Sequence, residues 1–145
     1  MPDETPELRV LVIDDSVDNA EALCLLLAAM GCVSTSAVSG QEGIAVAAKF
    51  SPHLVFIDFE MPGMGGCDVA RQLRASYPQN AMKLVCLTGR GHSDDQRACM
   101  DAGFDDFFSK PISPESLTRV VAASNEAELE DHRQSQKGTF EPSMR

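Results

Sequence analysis

The hydrophobic positions of this chain fall into five short runs, separated by stretches in which apolar residues recur at helical spacing. Leu8–Ile13 is nearly continuous (LRVLVI), the pattern of a strand buried on both faces. Leu23, Leu26, Leu27 and Met30 then mark one helix face, and Gly31 supplies a stop. Cys32–Val38 predicts a weaker second strand, and Gln41–Phe50 an Ala-rich helix halted at Ser51-Pro52. His53–Asp58 predicts a third strand. The loop EMPGMGG follows, then a helix with Val69, Leu73 and Tyr77 inward that ends by Pro78. Lys83–Thr88 predicts a strand, Ser93–Ala102 a helix closed by Gly103, and Phe104–Ser109 a fifth strand. Leu117, Val120 and Val121 mark a last amphipathic helix.

Strands that alternate with helix-length segments imply βαβ units, a mostly parallel sheet, and right-handed crossovers that place helices on both faces. The 145 residues suit one domain. Residues 1–7 read as a disordered lead and residues 8–124 as the domain. Residues 125–145 turn polar and read as a turn or two of helix extension followed by a disordered tail containing Gly138 and Pro142.

Composition narrows the class. A net charge of -10 argues against a nucleic-acid surface, which needs clustered Lys and Arg, and suits cation binding and polar protein partners. The five cysteines are odd in number, irregularly spaced and lack a C-x-x-C pair, so they read as reduced packing residues rather than zinc ligands or a redox motif. No apolar run approaches the roughly 20 residues of a membrane span, and the acidic start MPDETPE is the opposite of a secretory signal. The expected location is cytoplasmic, with no membrane or direct nucleic-acid partner.

The candidate chemistry sits where the runs end. VLVI ends in Asp14-Asp15, LVFI in Asp58, LVCL in Thr88 and FDDFFS in Lys110-Pro111. In an open parallel sheet, ligands bind beyond the carboxyl ends of the strands. One Asp after a strand is commonly just the N-cap of the next helix. Here Ser16, or Asp18 with Glu21, can cap instead, and five polar strand ends on one edge exceed what capping requires. Two unit charges about 4 Å apart repel by about 4 kcal/mol at an effective dielectric near 20, so three gathered carboxylates call for a cation. An all-oxygen donor set suits a hard ion such as Mg²⁺. A carboxylate beside that ion serves as a nucleophile toward a phosphoryl group, with a lysine neutralising the equatorial oxygens. Asp58 is the best nucleophile candidate, Lys110 the ammonium, and Thr88 a hydroxyl donor.

The ordered set VLVIDDS, LVFIDFEMPGMGG, LVCLTGRG and FDDFFSKP resembles the receiver domain of two-component response regulators, over about Leu8 to Ala123. The resemblance implies a flavodoxin-like (βα)5 doubly wound α/β fold with strand order 2-1-3-4-5. It implies that Asp58 accepts a phosphoryl group from a sensor histidine kinase or histidine phosphotransfer protein, and that the chain is a phosphoacceptor rather than a turnover enzyme. Asp15 and Asp58 would ligate Mg²⁺ directly, Asp14 through water, and Glu60 through its backbone carbonyl. Thr88 would be the switch hydroxyl, Phe107 the switch aromatic, and Lys110 the phosphate-binding ammonium, its bond to Pro111 being cis in the family. Glu60 and Arg90 occupy the two positions that tune phosphoryl lifetime. Our hypothesis is that they pair and slow attacking water, which an unchanged autodephosphorylation rate in Arg90→Ala would refute.

Gly65 departs from the common pattern, which carries Asp or Asn there, and weakens the following helix cap. Ser116 and Val120 stand where the DNA-binding subfamily has dimerising charges, which favours a stand-alone chemotaxis-like or phosphorelay receiver; a receiver excised from a hybrid histidine kinase is the alternative. Two other classes use similar parts. A haloacid-dehalogenase-type phosphatase has its nucleophile in D-x-D on the first strand and its acidic pair late, the reverse of the order here. A flavodoxin-like FMN carrier needs a phosphate loop after the first strand, where this chain has DDSVDNAE.

Overall fold

A computed structural model of the chain describes residues 7–78, 82–89 and 93–140. Five strands, β1 (Arg9–Ile13), β2 (Val33–Ala37), β3 (Leu54–Asp58), β4 (Lys83–Thr88) and β5 (Asp106–Ser109), alternate with five helices. The helices are α1 (Val17–Ala29), α2 (Gly40–Phe50), α3 (Gly66–Ser76), α4 (Ser93–Ala102) and α5 (Pro114–Phe140). Every strand pair is parallel, in the order β2-β1-β3-β4-β5. This is the flavodoxin-like doubly wound fold expected from the sequence.

Side-chain alternation along the strands divides the core in two. Leu11, Ile13, Val55, Ile57, Leu84 and Cys86 pack under α2, α3 and α4, with Val69, Ala70, Leu73, Cys99 and Ala102 facing them. Val10, Val12, Leu54, Phe56, Val85 and Leu87 pack under α1 and α5, with Leu23, Leu27, Leu117 and Val120 facing them. The central strands β1, β3 and β4 are therefore apolar on both faces, which is why they read as continuous runs. The edge strand β2 carries VSTSA, with only Ala37 of its five residues buried, and gives the weaker signal.

Local chemistry explains the element ends. Ser16 caps α1, its hydroxyl accepting from the Asn19 N–H, and Ser39 caps α2 by accepting from the Glu42 N–H. Gly31, with φ of 88°, turns the chain out of α1 in a conformation that side chains disfavour. Gly65 heads α3 with no side-chain cap, as its missing side chain dictates.

The last helix departs from expectation. It continues to Phe140, where the polar composition after Asn125 led us to expect only a further turn or two. Between Asn125 and Lys137 there is no proline, glycine or β-branched residue, so no strong helix breaker interrupts that stretch. Residues 1–6 of the expected lead, and residues 141–145 of the tail, lie outside the described residues. No helix among the described residues is long and apolar enough to cross a membrane.

Candidate functional site at the carboxyl edge of the sheet

Parallel pairing carries the ends of β1, β3, β4 and β5 to one edge. Asp14 and Asp15 follow β1, Asp58 ends β3, Thr88 ends β4, and Lys110 follows β5. Backbone bonds continue the ladder past the strand ends: Asp14 N–H donates to Ala37 O at 3.0 Å, Phe59 N–H to Leu87 O at 2.7 Å, and Lys110 N–H to Thr88 O at 2.7 Å. The site residues are thus fixed by the sheet rather than by free loops.

The carboxylates of Asp14, Asp15 and Asp58 each present an oxygen within 4.8 Å of the others. Asp14 and Asp58 are buried and Asp15 is exposed. The Lys110 Nζ lies 3.2 Å from Asp14 Oδ2 and 3.1 Å from Asp58 Oδ1. Asp58 Oδ1 also accepts from the Glu60 N–H at 3.3 Å, and Asp14 Oδ1 from the Ser16 N–H at 2.9 Å. Asp14 therefore has a local structural duty as well, turning the chain into α1, which the capping argument had left to Ser16 or Asp18 alone.

Charge balance follows from this geometry. Among the described residues, the three carboxylates are accompanied by one ammonium, bonded to Asp14 and Asp58, so this cluster carries an excess of negative charge. Burial pushes the Asp58 carboxyl up to about 6; Lys110 opposes this by hydrogen bonding while the Asp14 charge adds to it. Burial alone would lower the Lys110 ammonium, but its bonds to Asp58 and Asp14 outweigh that and hold it above its ordinary value. A hard divalent cation fits this donor set: all oxygen, partly buried, with Asp15 open to water.

Thr88 is fully buried. Alternation along β4 puts it on the same face as Cys86, toward α4. Phe107 pairs in register with Cys86 and packs on that same face, half buried. Thr88 and Phe107 are thereby brought together on the α4 side, whereas Asp14 and Lys110 open toward α1. Glu60 is exposed at the start of the β3–α3 loop. The Lys110–Pro111 peptide is cis. Arg90 lies outside the described residues.

Two features were missed from sequence. Gly66 packs so closely beneath the site that a Cβ would collide with the Asp58 carbonyl oxygen and come within 3.0 Å of the Phe59 Cα. The Gly65-Gly66 pair was the available signal, but only its capping consequence was drawn. The second is a cavity of about 380 Å³ beside the acidic cluster, lined by Asp14, Lys110, Pro111 and Ile112 and by Asn19, Ala22, Leu23 and Leu26 of α1. It had no local signal, because α1 and the β5–α5 turn are distant in sequence.

The model of the response regulator receiver domain matches residues 10–122, which include every residue of this edge cluster. The chain belongs to the response regulator receiver family. This receiver is 34% identical over 121 residues to hybrid signal transduction histidine kinase L of Dictyostelium discoideum, covering 78% of this chain and 7% of that protein. It is 32% identical over 120 residues to the DNA-binding response regulator MtrA of Mycobacterium tuberculosis, covering 83% of this chain and 51% of that one. The receiver thus spans about half of the mycobacterial regulator and a small part of the hybrid kinase. Among solved structures it resembles the Vibrio cholerae chemotaxis protein CheY4, with a TM-score of 0.76 at 23% identity over 82% of this chain and 99% of that one. A receiver domain protein from Clostridium thermocellum gives 0.75 at 26% identity, over 83% and 96% of the two chains.

Proposed function

We propose that this receiver accepts a phosphoryl group on Asp58, in an Mg²⁺-dependent reaction, from the phosphohistidine of a sensor kinase or phosphotransfer protein. The observation that carries this reading is the convergence of the Asp14, Asp15 and Asp58 carboxylates within 4.8 Å of one another, with the Lys110 ammonium bonded to Asp14 and Asp58. Asp15 and Asp58 would hold the ion, with Asp14 and the Glu60 backbone carbonyl as supporting oxygens. When bound, the ion supplies positive charge against both the carboxylates and the incoming phosphoryl oxygens.

Asp58 is the nucleophile. It is held by the Glu60 N–H and by Lys110, so it presents one oxygen in a fixed direction. Attack on phosphorus forms the acyl phosphate, and the imidazole leaves with the electron pair of the broken P–N bond. Lys110 then shifts its hydrogen bond from the carboxylate to the transferred phosphoryl, where it neutralises charge. The product stays on the protein until water removes it, so the chain acts as a phosphoacceptor rather than as a turnover enzyme.

The donor reaches Asp58 from the α1 side. The cavity beside Lys110 opens there, and Val17, Leu25 and Leu26 expose apolar surface on α1, Leu25 at 73%. Such a surface fits the helices of a histidine-bearing partner. The response leaves by the opposite layer. A phosphoryl oxygen draws the Thr88 hydroxyl, and the space it vacates is available to Phe107, so the face built from α4, β5 and α5 changes its affinity for an output partner. Chemistry thus enters beside α1 and the signal departs beside α4.

The test is incubation with Mg²⁺ and a small-molecule phosphodonor. The expected product is an acid-stable, base-labile phosphoprotein, absent with chelator and absent in Asp58→Asn. Labelling that survives Asp58→Asn overturns the assignment.

A further inference from the structure

Cys86 and Cys99 have no role in the chemistry above. Cys86 lies on β4, two residues before Thr88 and on the same face, and Cys99 lies on α4. Both are fully buried, and the Cys99 thiol donates to Cys86 Sγ at 3.0 Å. That is closer than the roughly 3.5–4.0 Å of ordinary non-bonded carbon contacts, and about 1 Å from the length of an S–S bond. Buried cysteines usually serve as small hydrophobes, for which a neighbouring sulfur has no special value. Here the two sulfurs face each other across the boundary from β4 to α4, on the face that the proposed switch uses.

We propose that Cys86 and Cys99 form a redox modification site, closed by peroxide into a disulfide that ties α4 to β4. One thiol takes an oxygen from the peroxide, becoming a sulfenic acid and releasing water. The second sulfur attacks the first, forming the S–S bond and expelling the oxygen as a second water. Two thiols and one peroxide thus give one disulfide and two waters; the sulfurs lose two electrons and the peroxide gains them. The sulfurs need an approach of only about 1 Å to reach bonding distance. Burial pushes the Cys86 thiol far above its ordinary range, and both sulfurs are shut off from solvent, so oxidant reaches them only when α4 lifts. The consequence for signalling rests on the reading of Thr88 as the switch: with α4 tied to its own strand, phosphorylation at Asp58 proceeds but the α4 face no longer responds.

The full chain is treated with hydrogen peroxide, its remaining thiols are alkylated after unfolding, and the peptides are mapped by mass. The expected result is a linked Cys86–Cys99 peptide, lighter by two hydrogens, reversed by dithiothreitol, retained in Cys67→Ser and lost in Cys99→Ala. Cys67 is the internal competitor, since it packs against the same core cluster as Cys86 and Cys99. A Cys67–Cys86 link, sulfinic acids in place of a link, or Cys86 and Cys99 both alkylated overturns the site without need of any variant. Amide exchange of α4 with and without a small-molecule phosphodonor reads the tether. Reduced protein is expected to change at α4, and oxidised protein to carry the phosphoryl group with α4 unchanged. An oxidised protein whose α4 responds as the reduced one does overturns the tether. Loss of labelling in reduced protein instead strikes the phosphoacceptor reading, while the peptide map still judges the disulfide.

Discussion

Replacing Asp58 with Asn is expected to stabilise the metal-free receiver while abolishing its chemistry. The Asp58 side chain is 6% exposed and shares one ammonium with Asp14. Its carboxyl is raised from 3.8 to about 6, chiefly by burial. A raised acid pKa means that the folded state binds the proton more tightly than the unfolded state, so this group costs stability as pH rises from about 4 through 6, and the cost is complete above it. At 1.36 kcal/mol per unit, the displacement corresponds to about 3 kcal/mol at pH 8. Asn removes that cost but weakens the bond to Lys110, by about 1 kcal/mol. The net gain is then about 2 kcal/mol, a rise of about 8 °C in Tm for a domain of this size. Thermal melts in chelator at pH 8 measure it, and the difference is expected to shrink toward pH 4, where the native carboxyl is protonated. Added Mg²⁺ stabilises the native protein more than the variant, because the variant lacks one ligand. An Asp58→Asn protein less stable than the native one at pH 8 in chelator refutes the reasoning.

Other perturbations follow from the same geometry. Lys110→Met leaves the buried Asp14 and Asp58 carboxylates without their ammonium and is expected to cost about 2–3 kcal/mol in chelator at pH 8, measured by urea denaturation; an unchanged midpoint contradicts the ion pairs. Gly66→Ala drives a Cβ into the Asp58 carbonyl and is expected to cost about 2 kcal/mol and to slow labelling of Asp58, whereas Gly65→Ala, with its nearest neighbour at 3.8 Å, stays within about 0.5 kcal/mol; equal effects at the two positions contradict the close approach. Arg74→Met removes the guanidinium that donates to Gly103 O, Met82 O and Asp105, and is expected to cost about 1–2 kcal/mol by chemical denaturation without loss of labelling; a native midpoint in the variant contradicts it.

What was legible in the sequence was whatever the chain states locally. β3 and β4 announce themselves because both their faces are buried, and their final residues, Asp58 and Thr88, stand out as polar breaks in apolar runs. Parallel pairing then makes their meeting a matter of topology, so the reacting edge could be assembled from strand ends alone. What stayed hidden depends on packing between distant elements. The Arg74 clasp joins α3 to the β5 approach across 31 residues, and a single arginine on an amphipathic helix looks like any solvated cation. The Cys86–Cys99 contact had the same obscurity, since each cysteine alone reads as a small apolar residue. Asp14 showed its acidity but not that its two oxygens divide between Ser16 and Lys110. The length of α5 escaped because the sequence of its outer half carries no apolar stripe to announce a helix.

The central claim is that Asp58 is the residue phosphorylated. After reaction with Mg²⁺ and a small-molecule phosphodonor, borohydride reduction converts an aspartyl phosphate to homoserine, which peptide sequencing by mass locates within the chain. Homoserine at position 58, absent when chelator replaces Mg²⁺, is the predicted result; homoserine at position 14 or 15, or none in a protein that carries stable phosphate elsewhere, would contradict it.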